Sequence, residues 1–100
     1  MPMLHVAFQE GFSNDTVVVR INGAEVFRKG GLVTKLQIGY ADSFEIQLPA
    51  GEVQLDVTVT NKGANASADL RLTQPTYVGV SLDRTGSPVF RVSAEPFGYL

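Results

Sequence analysis

The chain is 100 residues long, 44% hydrophobic and 18% charged, which fits one folded domain with a buried core and excludes a disordered composition. Its formal net charge is −2, and its eight lysines and arginines stand singly apart from Arg28–Lys29, so we expect neither nucleic acid nor an anionic membrane surface as a partner. It has no cysteine, which excludes disulfides, cysteine-ligated zinc and thiol nucleophiles.

The sequence carries no feature of export or of membrane insertion. Residues 1–5 lack the basic and apolar regions of a secretory signal, and no run approaches the roughly 18 apolar residues of a membrane span. The absence of cysteine is compatible with a reducing compartment. We therefore expect a soluble, cytoplasmic protein.

Apolar and polar residues alternate along nearly the whole chain, which predicts β-strands that each bury one face. The clearest case is residues 53–60, where the odd positions are apolar and the even positions are polar. No stretch of roughly ten or more residues has helical spacing. The nine strand candidates, in chain order, are residues 4–8, 17–21, 25–29, 32–38, 44–48, 53–60, 69–73, 78–83 and 89–93.

Many short strands in a chain of this length indicate two packed sheets or a barrel. We expect a single all-β domain over residues 1–100, an antiparallel two-sheet β-sandwich of seven to nine strands, with residues 94–100 as a C-terminal tail. The predicted core consists of Val19, Ile21, Leu36, Ile38, Phe44, Ile46, Leu55, Val57, Leu70, Leu72, Val78 and Val80.

Turn residues predict how the strands are joined. Asn22-Gly23 lies between two alternating runs and is the dipeptide that type I′ hairpins favour, because both residues tolerate positive φ. The predicted cross-strand pairs of this hairpin are Ile21–Ala24, Arg20–Glu25 and Val19–Val26. Residues 83–88, which contain Gly86 and Pro88, predict a final turn.

The burial pattern also predicts that the later strands pair as consecutive hairpins. The expected pairs that flank the three loops are Leu48–Val53, Val59–Ala68 and Leu72–Val78. This arrangement would place Glu45 opposite Asp56, with Arg71 on the far side of Asp56. Two carboxylates on adjacent strands can bind a cation or exchange protons, but we expect a solvated sheet face that is partly neutralised by Arg71.

Few residues suggest catalysis. His5 is the only histidine and is expected to be a solvent-exposed residue on the outward face of the first strand. Gly30-Gly31 follows two basic residues but lacks a phosphate-binding fingerprint, so a plain turn is expected. We therefore predict no catalytic residues, no cofactor-binding residues and no metal ligands, and we expect that the protein is not an enzyme.

Aromatic residues at strand ends and in the tail are the candidate partner-binding residues. An exposed apolar C-terminus is unfavourable unless it docks on its own domain or is recognised by another chain, and both alternatives remain open. Loop aromatics can also stack on a sugar, although the chain has no tryptophan. The candidates are Phe97, Tyr99, Leu100, Tyr40 and Tyr77.

Three segments carry a resemblance to a known family. Residues 17–23 form a strand that enters an Asn-Gly hairpin, residues 48–51 read Leu-Pro-Ala-Gly, and residues 53–57 form a valine-rich strand. In this pattern the chain resembles the bacterial PEGA-type β-sandwich modules. The resemblance implies a prealbumin-like or immunoglobulin-like sandwich with an accessory, non-catalytic role, and it brings no catalytic residues.

Two functions are consistent with these observations. The first is a protein-interaction or structural module that binds a protein partner, or associates with itself, through a strand edge or the C-terminal tail. The second is a small-ligand binding domain, with carbohydrate as the expected ligand, that uses loop aromatics such as Tyr40 and Tyr77.

Overall fold

Eight strands form two four-stranded sheets in the computed structural model, which describes residues 1–98. Sheet 1 has the strand order β4-β1-β7-β8 and sheet 2 the order β3-β2-β5-β6. The strands are β1 (Met3–Phe8), β2 (Ser13–Ile21), β3 (Ala24–Val33), β4 (Asp42–Gln47), β5 (Gly51–Val59), β6 (Ala64–Leu72), β7 (Thr76–Leu82) and β8 (Pro88–Ser93). The predicted all-β two-sheet sandwich is confirmed, but β1 and β7 pair in parallel, so sheet 1 is not purely antiparallel.

The core lies between the sheets and is built from the inward positions of both. β1 contributes Leu4, Val6 and Phe8, all fully buried, and β5 contributes its four apolar odd positions. Burying one such side chain stabilises the fold by roughly 1.5–3 kcal/mol. Eight predicted core residues are confirmed as buried: Val19, Ile21, Leu55, Val57, Leu70, Leu72, Val78 and Val80.

The remaining core predictions are only partly right. Phe44 and Ile46 are partly buried and pack against the core from the edge strand β4. Ile38 is partly exposed, and Leu36 is 90% exposed. The prediction of a strand through these two residues is wrong because the chain turns there, with Lys35 and Tyr40 pairing across the turn.

The Asn22-Gly23 hairpin between β2 and β3 is confirmed. Both residues have positive φ, 51° and 85°, as a type I′ turn requires. The pairs Ile21–Ala24 and Arg20–Glu25 form as predicted, whereas Val19 lies opposite Phe27 instead of Val26 because the ladder shifts register between Val19 and Arg20. β3 then continues through residues 30–31 to Val33, so the predicted glycine turn is a bulged strand interior.

Two predicted hairpins are wrong because their strands belong to different sheets. β4 lies beside β1 in sheet 1, while β5 lies between β2 and β6 in sheet 2, so Leu48 and Val53 do not pair. β6 and β7 are likewise separated, which removes the Leu72–Val78 pair. Alternation shows that a strand has a buried face, but it does not show which strand lies beside it.

The β5–β6 hairpin exists but has a different register from the one predicted. A 3₁₀ turn at Thr60–Lys62 makes the connection short, so Val59 lies opposite Ala64 and not Ala68. Consequently Arg71 lies opposite Glu52, and Asp56 lies opposite Ser67. The predicted Glu45–Asp56 carboxylate pair does not occur, because Glu45 is on sheet 1 and Asp56 is on sheet 2.

A buried carboxylate joins β2 to the 3₁₀ turn. Asp15 is 0% exposed and accepts hydrogen bonds from the Ser13 backbone N–H at 2.8 Å and from Asn61 Nδ2 at 2.7 Å. Lys62 Nζ lies 3.1 Å from the same carboxylate. Burial raises the pKa of Asp15, but these three partners lower it more, so its pKa lies below the ordinary value.

Candidate functional site: a cavity on the outer face of sheet 1

The outer face of sheet 1 collects the outward-pointing residues of four strands. His5 of β1 lies between Glu45 of β4 and Tyr77 of β7 in the strand register. Two positions further along β1, Ala7 lies opposite Gly79 of β7. Because residues two apart share a face, large polar side chains stand at one level of the sheet and small residues at the next. The small side chains of Ala7 and of Ser43, which lies opposite Ala7 on β4, therefore leave a hollow beside the His5 level, whereas the Gln9 side chain covers Gly79.

This hollow is part of a cavity of about 300 Å³, which we call the outer-face cavity. Its volume is at the lower end of the range of about 300–1,000 Å³ that is typical of small-molecule sites. The β3–β4 connection supplies one part of its wall and the C-terminal segment another. The lining residues are His5, Val6, Ala7, Tyr40, Ser43, Phe44, Glu45, Tyr77, Pro96 and Phe97.

His5 is held in place from two sides. Its Nδ1 lies 2.6 Å from Glu45 Oε2, and its ring stacks on Tyr77 with the ring centroids 4.3 Å apart and the planes 15° from parallel. The side chain points outward as expected but is only 26% exposed, so the expectation of a solvent-exposed histidine is partly right. An imidazole fixed in this way presents a rigid, partly polar wall to the cavity.

Tyr40 places a hydroxyl at the edge of the cavity. Its Oη lies 2.9 Å from Ser43 Oγ, in hydrogen-bond contact, and either group can donate. The Tyr40 backbone oxygen accepts from the Lys35 N–H at 2.9 Å, which closes the turn that carries the ring. Two hydroxyls and the Glu45 carboxylate therefore line one cavity together with aromatic rings.

The described part of the C-terminal tail lies against its own domain. Pro96 and Phe97 line the outer-face cavity, and the Arg91 guanidinium carbon lies 4.4 Å from the centroid of the Phe97 ring. This geometry is a cation–π contact. Pro96 and Phe97 are therefore docked on their own domain, which is one of the two alternatives considered for the tail.

Three of the five predicted partner-binding residues are thus brought together. Tyr40, Tyr77 and Phe97 come from distant parts of the chain and meet at the outer-face cavity. Tyr99 and Leu100, the other two, lie outside the described residues. Sequence reasoning missed three polar lining residues, His5, Ser43 and Glu45. The outward positions of His5 and Glu45 were visible in the alternation, but Ser43 precedes the predicted strand, and the β1–β4 pairing that unites the three residues was not visible.

A second, smaller hollow of about 170 Å³ lies nearby. It is lined by polar groups, and its contact with Arg91 and Gly98 places it beside the C-terminal segment. Among residues 1–98, no group of three or more histidine, cysteine, aspartate or glutamate side chains is arranged to hold a metal ion. The full lining of the smaller hollow is Gln9, Glu10, Ile38, Gly39, Arg91 and Gly98.

Carboxyl groups with shifted pKa values lie outside the lining of both hollows. A hydrogen bond from Lys29 lowers the pKa of Asp42, and a hydrogen bond from the Thr85 hydroxyl lowers the pKa of Asp83. A hydrogen bond from Arg28 lowers the pKa of Glu25. Each of these hydrogen bonds stabilises the ionised carboxylate, which is the state that a structural ion pair or a turn requires.

Comparison of the chain with protein-family models, with curated proteins and with solved structures found no match. Within residues 1–98, no helix is long and apolar enough to cross a membrane. The geometry and chemistry of the outer-face cavity are therefore the basis for proposing a function.

Proposed function

We propose that this protein is a non-catalytic binding module that holds a small polyhydroxylated ligand, of the carbohydrate type, in the outer-face cavity. The observation that carries the proposal is that Tyr40, Tyr77 and Phe97 meet hydroxyl and carboxylate groups around a single cavity of about 300 Å³. The protein-interaction function that the sequence also suggests is the second candidate, argued below.

The lining matches the two kinds of surface that a sugar ring presents. The C–H faces of the ring are apolar and pack on aromatic planes such as Phe97 and the His5–Tyr77 stack. The hydroxyl groups at the edge of the ring need hydrogen-bond partners, because a buried hydroxyl without one costs binding energy. Glu45 supplies acceptors, while Ser43 and Tyr40 supply hydroxyls that both donate and accept.

The arrangement favours binding over catalysis. Glu45 contacts Nδ1 of the single imidazole, as an orienting carboxylate would, but the Ser43 hydroxyl bonds to Tyr40 and not to this imidazole. Nucleophilic catalysis on this face would require Ser43 to bond to His5 instead. We also propose a cytoplasmic location and a relation to the PEGA-type modules, whether prealbumin-like or immunoglobulin-like, and this relation would agree with a non-catalytic role.

Ligand-observed NMR tests the proposal with four sugar probes: glucose, galactose, mannose and N-acetylglucosamine. We expect saturation transfer to at least one of them. Glu45→Gln removes a charged acceptor, and because such a hydrogen bond is worth roughly 1.5–3 kcal/mol, the affinity should fall about tenfold or more. Asp69→Asn, on the exposed face of β6 in sheet 2, is the matched carboxylate-to-amide control and should leave the affinity unchanged. Absence of transfer to all four sugars, or equal affinities in the two variants, would contradict the proposal.

A protein partner or a second copy of the chain is the second candidate function. β8 is an edge strand of sheet 1, and its Val89 and Val92 are 46% and 53% exposed. An edge with exposed valines can pair with another strand unless it is protected. Sedimentation velocity of the full chain should then show a dimer at high concentration that Val92→Lys abolishes. A monomer at all concentrations would exclude self-association through this edge.

A further inference from the structure

Residues 94–98 leave the sheet and return across its outer face. β8 ends at Ser93, and these five residues belong to no strand. The Glu95 N–H donates to Ser93 Oγ at 3.0 Å, which closes the bend that redirects the chain. Pro96 and Phe97 then form part of the wall of the outer-face cavity. We call residues 94–98 the C-terminal strap.

The strap is anchored by a residue that does not line the outer-face cavity. Arg91 lies on β8, opposite Gly79, and its guanidinium stacks on the Phe97 ring at 4.4 Å. Arg91 itself is exposed, and an exposed cation–π contact contributes roughly 0.5–1 kcal/mol. A contact of this strength would favour the closed strap over the open one by only about two- to fivefold.

We infer that the C-terminal strap is a gate for the outer-face cavity and that the Arg91–Phe97 contact is its latch. If the latch alone sets the balance, its two- to fivefold preference leaves the strap open for about one-sixth to one-third of the time. A ligand enters while the strap is open, and Phe97 covers one side of the ligand when it returns to Arg91. The identity of that ligand rests on the proposed function, whereas the opening of the strap does not.

His5 provides a direct measure of access to the cavity, because it is the only histidine and lines the cavity together with Phe97. Diethyl pyrocarbonate acylates exposed imidazoles, and peptide mass analysis reports the rate at His5. The His5 side chain is 26% exposed with the strap closed, so the measured rate is the sum of a basal rate and a faster rate from the open state. Loss of the latch in the full chain leaves the open and closed states about equally populated, which should raise the open-state part of the rate about 1.5- to threefold.

Two variants and one control separate opening from other effects. Arg91→Ala removes the cation and keeps the ring, while Phe97→Ala removes the ring and keeps the cation. A matching increase in both excludes a change in the charge near His5 as the cause. Val89→Ala, which shortens a side chain on the same strand, should leave the rate of His5 acylation unchanged. Phe97→Leu keeps an apolar side chain without the π face, and it should also raise the rate if the cation–π contact is the latch.

The outcomes are distinct. Equal acylation rates in the wild type, Arg91→Ala and Phe97→Ala would overturn the gate, as would an equal increase in Val89→Ala. Cleavage by chymotrypsin after Phe97 reports opening separately: if Arg91→Ala speeds this cleavage but leaves the His5 rate unchanged, the strap opens without gating the cavity, and the inference fails. These measurements use no sugar, so a chain that passes them and binds none of the four sugar probes retains the gate and loses only the proposed ligand class.

Discussion

Replacement of Asp15 removes the central group of a buried network. The carboxylate holds the Ser13 N–H, the Asn61 side chain and the Lys62 ammonium together, and it thereby fastens β2 to the 3₁₀ turn after β5. Asn61 also accepts from the Thr16 N–H at 2.9 Å through its Oδ1, so its orientation depends on both contacts. Asp15→Ala leaves all three donors of the carboxylate without their partner.

The structure gives the size of the expected loss. Hydrogen bonds to a charged group contribute roughly 1.5–3 kcal/mol each, and removal of one member of a buried ion pair costs roughly 3–5 kcal/mol. The Lys62 side chain is 30% exposed and can turn to water, which places the expected loss at the low end of that range. We expect Asp15→Ala to lower the free energy of unfolding by about 3 kcal/mol, and Tm by roughly 12–24 °C for a domain of this size.

The same network makes stability depend on pH. The pKa of Asp15 is lower in the folded state than its ordinary value, so the folded state binds a proton at this site less readily than the unfolded state. The stabilisation is therefore fully present above the unfolded pKa, about 3.9, and is lost as the pH falls through the folded pKa. The difference in unfolding free energy between the wild type and Asp15→Asn should shrink below about pH 4.

Urea unfolding at neutral pH, repeated at steps down to strongly acidic pH, measures both quantities. Asp69→Ala, on the exposed outer face of β6, is the matched control and should change stability by less than about 0.5 kcal/mol. A loss below about 1 kcal/mol for Asp15→Ala, or a wild-type advantage that grows on acidification, would refute this account of the network.

Three further predictions follow from burial and backbone geometry. Leu55→Ala should cost about 2–5 kcal/mol in urea unfolding, whereas Leu36→Ala should change stability by less than about 0.5 kcal/mol, and similar losses would contradict the turn at Leu36. Gly11→Ala should destabilise far more than Gly23→Ala in thermal melting: both have positive φ, worth about 1–2 kcal/mol, but only at Gly11 would the new Cβ meet a backbone oxygen, that of Leu82, at 2.5 Å. A chain ending at Ala94 should melt about 4–8 °C lower if strap docking contributes about 1 kcal/mol, and an unchanged Tm would show that it contributes nothing.

Local features of the fold could be predicted because their causes are local. Asn22-Gly23 sets its own turn by tolerating positive φ, and the alternation in β5 sets which side chains of that strand are buried. The failures arose at the connections between strands. A connection between two strands reveals neither the sheet to which the second strand belongs nor, as at Thr60–Lys62, how short the turn is.

The candidate site could be predicted only in part, because some of its contacts depend on which strands are neighbours in the sheet. Tyr40, Tyr77 and Phe97 were identifiable as aromatics outside the alternating runs, and each lies at the outer-face cavity. His5 and Glu45 were identifiable only as outward residues, because their contact depends on β1 lying between β4 and β7. That neighbourhood includes a parallel pair between the first strand and the seventh, and no local sequence signal encodes such a pairing.

Amide chemical-shift mapping of the isotope-labelled full chain tests the central claim, that the outer-face cavity is the binding site, most directly. The titrant is whichever of the four sugar probes gives the strongest saturation transfer. We predict shifts that saturate together at Ala7, Ser43, Glu45 and Tyr77, on strands that are distant in sequence but adjacent in sheet 1, and at Phe97 in the C-terminal strap. Shifts centred instead on the outer face of sheet 2, around Asp56 and Arg71, or no saturable shifts at all, would contradict the account.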